Sequence, residues 1–191
     1  MKHIFSFFFL ISAVSLFAQT SLTIPQIQGT GSSSTYSGQL VRTTGIVTAK
    51  YIGANMINGF FLQDETGDGN PNSSDGIFVY TVTDNVTIGD KIQLTATVSE
   101  NSGRTQLNSP ANMTVISKNN PLPVVKIVYD IYNWDLEEYE GMLVEFNQTL
   151  WVNNNSRLEA YGELELGVKR KPSPTNLAFP GSSAYQAMVS E

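Results

Sequence analysis

Apolar and polar residues alternate along most of the chain beyond residue 38, and that spacing predicts strands rather than helices. Over 39–52, QLVRTTGIVTAKYI, it puts Val41, Thr43, Gly45 and Val47 on one face and Leu40, Arg42, Thr44 and Ile46 on the other. Gly45 inside this run predicts a bend or bulge. INGFFLQ at 57–63 and GIFVYTV at 76–82 read as the second and third strands, separated by a polar, glycine-rich loop. KIQLTATVS at 91–99 alternates most cleanly, with Ile92, Leu94, Ala96 and Val98 facing one way. Asn101-Ser102-Gly103 is a turn signal, a return strand starts at 104–107, and a short strand follows at 113–116. None of the connections has the length or period of a crossover helix. The fold expected for 22–118 is therefore all-β, an antiparallel sandwich or a small Greek-key barrel, and the long bent first strand favours the barrel.

The pattern changes at Pro121 and Pro123. Residues 119–130 read as an extended linker and 131–191 as a second β-rich unit. One short helix is expected at 134–139, with Asn133 as N-cap, Asp135 and Glu137 at the positive end of the dipole and Gly141 as the stop. Strands resume at 142–152 and 157–166. An internal echo ties the two units together. Tyr36-Ser-Gly38-Gln-Leu40-Val41 is matched by Tyr139-Glu-Gly141-Met-Leu143-Val144, and in each copy Tyr-x-Gly precedes a long strand. The first unit takes about 80 residues from its Tyr to its last strand, far more than follow Tyr139. The second unit is thus expected to be incomplete, and the chain to be the front of a longer protein.

The first 18 residues stand apart from this patterning. Lys2 and His3 precede a nearly continuous apolar run, IFSFFFLISAVSLF, and Ala18 supplies a small residue before Gln19. These features predict a bacterial secretory signal peptide, with an uncleaved anchor as the alternative, and a secreted or extracellular location. The run is too short for a comfortable bilayer span, so no stable membrane span is expected. Leu16, at the third position before the cut, fits the cleavage pattern poorly.

Composition then limits the chemistry. Among 191 residues there are 11 Lys and Arg, 17 Asp and Glu, one His and no Cys. A secreted chain without cysteine has no disulfide framework and no thiol chemistry. The single histidine, His3, lies in the leader, so the remaining chain lacks the commonest general base and transition-metal ligand. No catalytic residue is assigned. The acidic balance argues against broad charge-driven binding to DNA. The one basic cluster, Lys169, Arg170 and Lys171, reads first as a solvated loop.

Two stretches carry candidate chemistry. DETGDGNPNSSD at 64–75 has EF-hand spacing: Asp64, Thr66, Asp68, Asn70, Asn72 and Asp75 fall at positions 1, 3, 5, 7, 9 and 12, with Gly69 at 6. These oxygens suit Ca2+ better than Mg2+, which demands stricter geometry. Against this, the flanks are strands and the last ligand is Asp rather than Glu, so the loop also reads as an ordinary Asp/Asn/Gly hairpin. The paired acids Asp64/Glu65 and Glu137/Glu138/Glu140 lack an orienting base and read as a solvated surface. The second stretch is aromatic. Phe60 and Phe61 point to opposite faces, so one belongs to the core. The other, with Tyr51 or Tyr80, offers a stacking surface for bases or sugars, to which Arg104 and Gln106 add polar contacts. Core packing or edge shielding is the alternative use of these rings.

As a set, IPQIQGTGSSSTYSGQLVRTTGIVTA, GFFLQDETGDGNPNSSDGIFVY and IGDKIQLTATVSENSGRTQL resemble the N-terminal oligonucleotide/oligosaccharide-binding (OB) fold domain of secreted bacterial nucleases. LEEYEGMLVEFNQTLWVNNNSRLEAYGELEL is similar to the region that follows it in those proteins. The resemblance implies an OB-like Greek-key barrel. It also implies a downstream endonuclease/exonuclease/phosphatase domain, dependent on Mg2+ or another divalent cation, none of whose residues lies in this chain. The function it implies here is non-catalytic: weak binding or positioning of single-stranded or extracellular DNA. The alternative is a calcium-stabilised extracellular module that binds polysaccharide or protein.

Overall fold

A computed structural model describes residues 20–129 and 136–189. The leader at 1–18, and Asn133, Trp134 and Asp135 of the expected helix, lie outside the described residues. The described chain is mostly strand with a few short helices.

It opens with β1 (Thr20–Ser21) and α1 (Ile24–Gln28). Thr23 caps this helix: its side chain accepts from the Gln26 backbone N–H, while the Gln26 side chain accepts from the Thr23 N–H. That is a capping box with Pro25 at the start of the helix, a signal present in TIPQ but not read in the strand-dominated pattern. Five strands follow: β2 (Leu40–Tyr51), β3 (Gly59–Gln63), β4 (Gly76–Tyr80), β5 (Lys91–Asn101) and β6 (Arg104–Ser117). The two short strands expected at 104–107 and 113–116 are one irregular strand, which slips register three times against β5.

The pairing order is β1-β2-β3-β4-β6-β5, and β5 also pairs with β2, so the ladder closes on its second strand. Two of these pairings, β1 with β2 and β4 with β6, are parallel. The sheet is therefore mixed, which corrects the purely antiparallel expectation. The β4–β6 pairing is reached by passing over the β5–β6 hairpin, a connection that strand periodicity does not reveal. β2 is the pivot. Its first half, Leu40 to Ile46, runs along β5, and its second half, Ile46 to Tyr51, runs along β3.

The faces follow the alternation. Val41, Val47, Ile92, Leu94, Ala96 and Val98 are buried together with Phe60, Leu62, Ile77, Val79 and Leu107, and α1 adds Ile24 and Ile27. Gly45 does not make the bulge. The register shift falls between Val47 and Ala49, while a Cβ on Gly45 would lie 2.9 Å from Ile24 Cδ1. Its bareness lets α1 close over the core.

Beyond residue 118 the chain is not a free linker. Asn120 N–H donates to Gly89 O at 2.9 Å, and β7 (Val125–Ile127) pairs in parallel with β8 (Val144–Phe146). A single 3-10 turn, Glu137–Tyr139, occupies the described part of the expected helix. The strand expected at 142–152 is broken into β8 and β9 (Trp151–Asn154). That at 157–166 is replaced by α2 (Leu158–Tyr161) and β10 (Glu165–Gly167), which pairs with β9. Two more short helices, α3 (Pro174–Leu177) and α4 (Ser183–Val189), end the described chain. None of the helices among the described residues is long and apolar enough to cross a membrane.

Candidate functional site

The register of β2, β3, β4 and β6 sorts their side chains into two sets. Phe61 faces Phe78, which faces Gln106, and Gly59 faces Tyr80, which faces Asn108. Ala49 pairs with Phe61 and Tyr51 with Gly59. Tyr51, Phe61, Phe78, Tyr80, Arg104 and Gln106 therefore share the face opposite the core, whereas Phe60, Val79 and Leu107 point inward. All five residues named from the sequence as ligand contacts come together here.

The face is graded from exposed to buried. Tyr51 and Tyr80 are each nearly half exposed, at 46% and 45%. Tyr51 meets Phe61 edge to face at 6.2 Å between ring centres, and Phe61 tilts against Phe78 at 5.0 Å. Phe78 is buried, with the Arg104 guanidinium carbon 4.2 Å above its ring. Arg104 Nη2 donates to Gln106 Oε1 at 2.8 Å, and Gln106 Nε2 donates to Asn108 Oδ1 at 2.7 Å. Gln106 is buried and both ends of its amide are engaged, so it orients Arg104 rather than meeting a ligand directly. Arg104 Nε is itself buried with no hydrogen-bond partner. On the other side, Tyr51 and Phe61 border a groove of about 320 Å³ that is also lined by Gly141, Met142 and Leu143.

The acidic loop between β3 and β4 is a succession of tight turns. Asp64 Oδ1 accepts from the backbone N–H of Thr66 and Gly67, Asp68 Oδ1 from that of Asn70, and Asn70 Oδ1 from that of Asn72. Asp64 N–H donates to Asp75 O at 2.8 Å and closes the loop at its base. Gly67 has φ +66, and a Cβ there would collide with the Asp75 carboxylate. Asp75 Oδ1 is buried without a hydrogen-bond partner. Burial raises the Asp75 pKa above the usual carboxylate range, and the charges of Asp68 and Asp64 push the same way, against a bond from the Asp68 backbone. Thr66 and Asn72 are in the loop but are exposed. Among the described residues no group of three or more acidic or imidazole side chains is placed to hold a metal ion. The loop thus presents one orphaned carboxylate oxygen rather than a formed cage.

A third cluster was missed from sequence. Glu140, read there as part of a solvated acidic surface, is half-buried against the first unit. Its Oε1 accepts from Gln28 Nε2 at 3.2 Å and from the Thr105 backbone N–H at 3.0 Å, and its carbonyl accepts from Ser74 Oγ at 2.6 Å. Beside it, Glu100 Oε1 accepts from Thr105 Oγ1 and the Ser34 N–H. Burial raises the Glu140 pKa to about 6, with Glu137 and Glu100 adding to the rise and the Gln28 and Thr105 bonds opposing it. Gln63, 1% exposed, joins the same junction: its Nε2 donates to Pro123 O at 2.6 Å and its Oε1 accepts from the Leu143 N–H at 2.7 Å. The Tyr-x-Gly echo marks this turn, but its partners come from four separate stretches of chain, which local patterning cannot bring together.

No protein-family model matches the chain, and no curated protein matches it.

Proposed function

We propose that this chain is the non-catalytic binding region of a secreted nuclease. In this reading the outer face of β2, β3, β4 and β6 holds single-stranded nucleic acid, and phosphodiester hydrolysis is done by a C-terminal domain not contained in the chain. One observation carries the reading: Tyr51, Phe61, Tyr80 and Arg104 lie on a single sheet face, the two tyrosines nearly half exposed and Phe61 half-buried between Tyr51 and Phe78, over which Arg104 sits. Rings tolerate any base as a stacking partner, and a guanidinium over an aromatic pairs with phosphate or with a further ring. The strand order, with its first strand shared between β3 and β5 and a parallel β4–β6 pair, supports an OB-like Greek-key barrel as the scaffold. The overall charge of −6 limits affinity, because few phosphates are neutralised.

Fluorescence anisotropy with a labelled 12-nucleotide single strand at low salt tests this. Binding is expected to weaken steadily as salt rises. Phe61→Ala and Tyr80→Ala should each weaken it by roughly 5- to 100-fold, the range for loss of one base stack. Absence of binding at low salt, or binding indifferent to both substitutions, would remove the nucleic-acid role.

A second reading has its own observation, the orphaned Asp75 Oδ1. A calcium ion at the acidic loop would satisfy it and relieve the repulsion among Asp64, Asp68 and Asp75. The chain would then be a calcium-stabilised extracellular module for polysaccharide or protein. A thermal melt in millimolar calcium and in EDTA decides: an unchanged midpoint disposes of the ion.

A further inference from the structure

The basic run that follows β10 is held against β9 by a single side chain. The β9–β10 register passes from Val152–Leu166 to Asn154–Glu165, so Asn153 is the extra residue of a bulge, and a bulge re-aims the side chain it displaces. Here the Asn153 amide turns onto the segment 169–171. Its Nδ2 donates to Lys169 O at 3.0 Å and its Oδ1 accepts from the Lys171 N–H at 2.9 Å. One amide thus serves an acceptor and a donor on either side of Arg170, as a neighbouring strand would. Pro172 adds a second constraint, because the residue before a proline is kept extended. Lys169, Arg170 and Lys171 therefore leave a fixed stretch of backbone, and all three are exposed.

An aromatic ring lies on the same face. Trp151 is paired with Gly167, so the two share one side of the ladder. A Cβ on Gly167 would lie 2.6 Å from Asn153 Nδ2, which puts the Asn153 amide on that side as well. The bare glycine makes room for the amide and leaves Trp151 with no side chain opposite it; Trp151 is 48% exposed. The cations beside it are weakly committed. Lys171 Nζ stands 3.9 Å from Glu165 Oε1, with both side chains more than half exposed, a pair that contributes little in water. Among the described residues Lys169 and Arg170 have no ion-pair partner.

We infer that Trp151 with Lys169, Arg170 and Lys171 forms a second contact for single-stranded nucleic acid, in which a base stacks on the indole and the cations meet neighbouring phosphates. A fixed run of cations beside an exposed ring matches both parts of a nucleotide, whereas an anionic polysaccharide presents charge without a planar π face. The run also gathers three of the chain's 11 Lys and Arg in one place, against a net charge of −6. The inference rests on the reading above for its ligand class, but its residues are separate from the Tyr51–Phe61–Tyr80 face.

The test titrates a labelled 12-nucleotide oligothymidylate against the full chain over a range of salt. Trp151→Ala should weaken binding by roughly 5- to 100-fold, the loss of one base stack, and Trp151→Phe should retain most of it. Lys169→Gln, Arg170→Gln and Lys171→Gln together should lower the slope of log affinity against log salt by about 1.4 to 2.1, as for two or three phosphates of a single strand. In Trp134→Phe, which leaves Trp151 as the only tryptophan, the strand should quench the emission. Binding that falls with Phe61→Ala and Tyr80→Ala but not with the Trp151 and triple substitutions overturns this inference and leaves the aromatic face standing; the opposite pattern removes the aromatic face and keeps this contact. No binding by the unaltered chain at low salt removes both. A loss confined to the triple substitution, with unchanged Trp151 emission, also overturns the inference, because the surface would then be one for polyanions in general, an anionic polysaccharide included.

Discussion

Residues 20–118 and residues 136–189 are built from the same kinds of strand, yet the first stretch has a core and the second, among its described residues, has no buried side chain. Both contain Val, Leu and aromatic residues at alternating positions. In the first, the inward-facing positions meet a second layer, because β2 turns back on both β3 and β5 and α1 covers the opening. In the second, the strands lie in two separate pairs. Alternation therefore specifies which side of a strand is meant to be covered, and closure of the ladder decides whether it is. Hydrophobic stabilisation scales with the area removed from water, so identical residue types contribute very differently in the two places.

Substitutions can break this contrast. The largest effect is expected for Leu94→Ala, which empties a fully buried site and should cost about 2–5 kcal/mol by chemical denaturation. Leu166→Ala, on β10 of the second stretch and 41% exposed, should cost within about 0.5 kcal/mol. Similar losses at both sites would mean that the second stretch is packed in solution. Next in size is Gln63→Ala, which leaves Pro123 O and the Leu143 N–H without their partner at a cost of roughly 1–3 kcal/mol. Limited proteolysis should then cut within 119–143 sooner while leaving the first unit intact; an unchanged cleavage pattern would show that the junction does not depend on this amide.

A smaller effect is a pH dependence of the same junction. The Glu140 pKa is raised from 4.5 to about 6 on folding. Above about 6 the folded state holds a charge it disfavours; below 4.5 the side chain is neutral both folded and unfolded. The junction is therefore favoured in full below pH 4.5 and weakened as pH rises through 6. Protease resistance of 119–143 should fall over that window, and Glu140→Gln should flatten the profile; a slope that persists in the variant would point to another group. The smallest effect is expected at the Lys50–Asp84 ion pair, 2.8 Å long and solvent-exposed. Lys50→Met should change stability by less than about 1 kcal/mol, and less still in high salt. A larger loss would mean that the Lys50 bond to Val86 O matters more than the pair.

Much of this was legible in the sequence. The buried faces of β2 and β5 follow from alternation alone, because every second residue of a strand points the same way. The division between Phe60 and Phe61 follows likewise, whereas the grouping of Tyr51, Phe61, Tyr80, Arg104 and Gln106 rests on the register of β2, β3, β4 and β6. What escaped was non-local. The parallel β4–β6 pairing depends on how a hairpin folds over, not on any residue in either strand. The burial of Gln106 and Glu140 depends on side chains 28 to 112 residues away. The helices α1, α2 and α3 were missed because a four- or five-residue helix shows barely one period, although the Thr23–Gln26 box marked α1. The strand expected at 142–152 is interrupted at Gln148, whose amide bonds both the N–H and the carbonyl of Tyr129 in place of a ladder.

The double pairing of β2 also bears on how the chain reaches its structure. β3 is joined to β2 by a short connection, so that hairpin can form within microseconds. The β5 ladder sets Leu40 against Thr97, and its closure requires everything between them to be in place. The entropy of closing such a loop is lost before the contacts return it, which slows folding into the range of non-local β proteins, milliseconds to seconds. During that interval the first half of β2 is an open strand rich in β-branched residues, and it is the segment that chaperones or neighbouring chains would meet first.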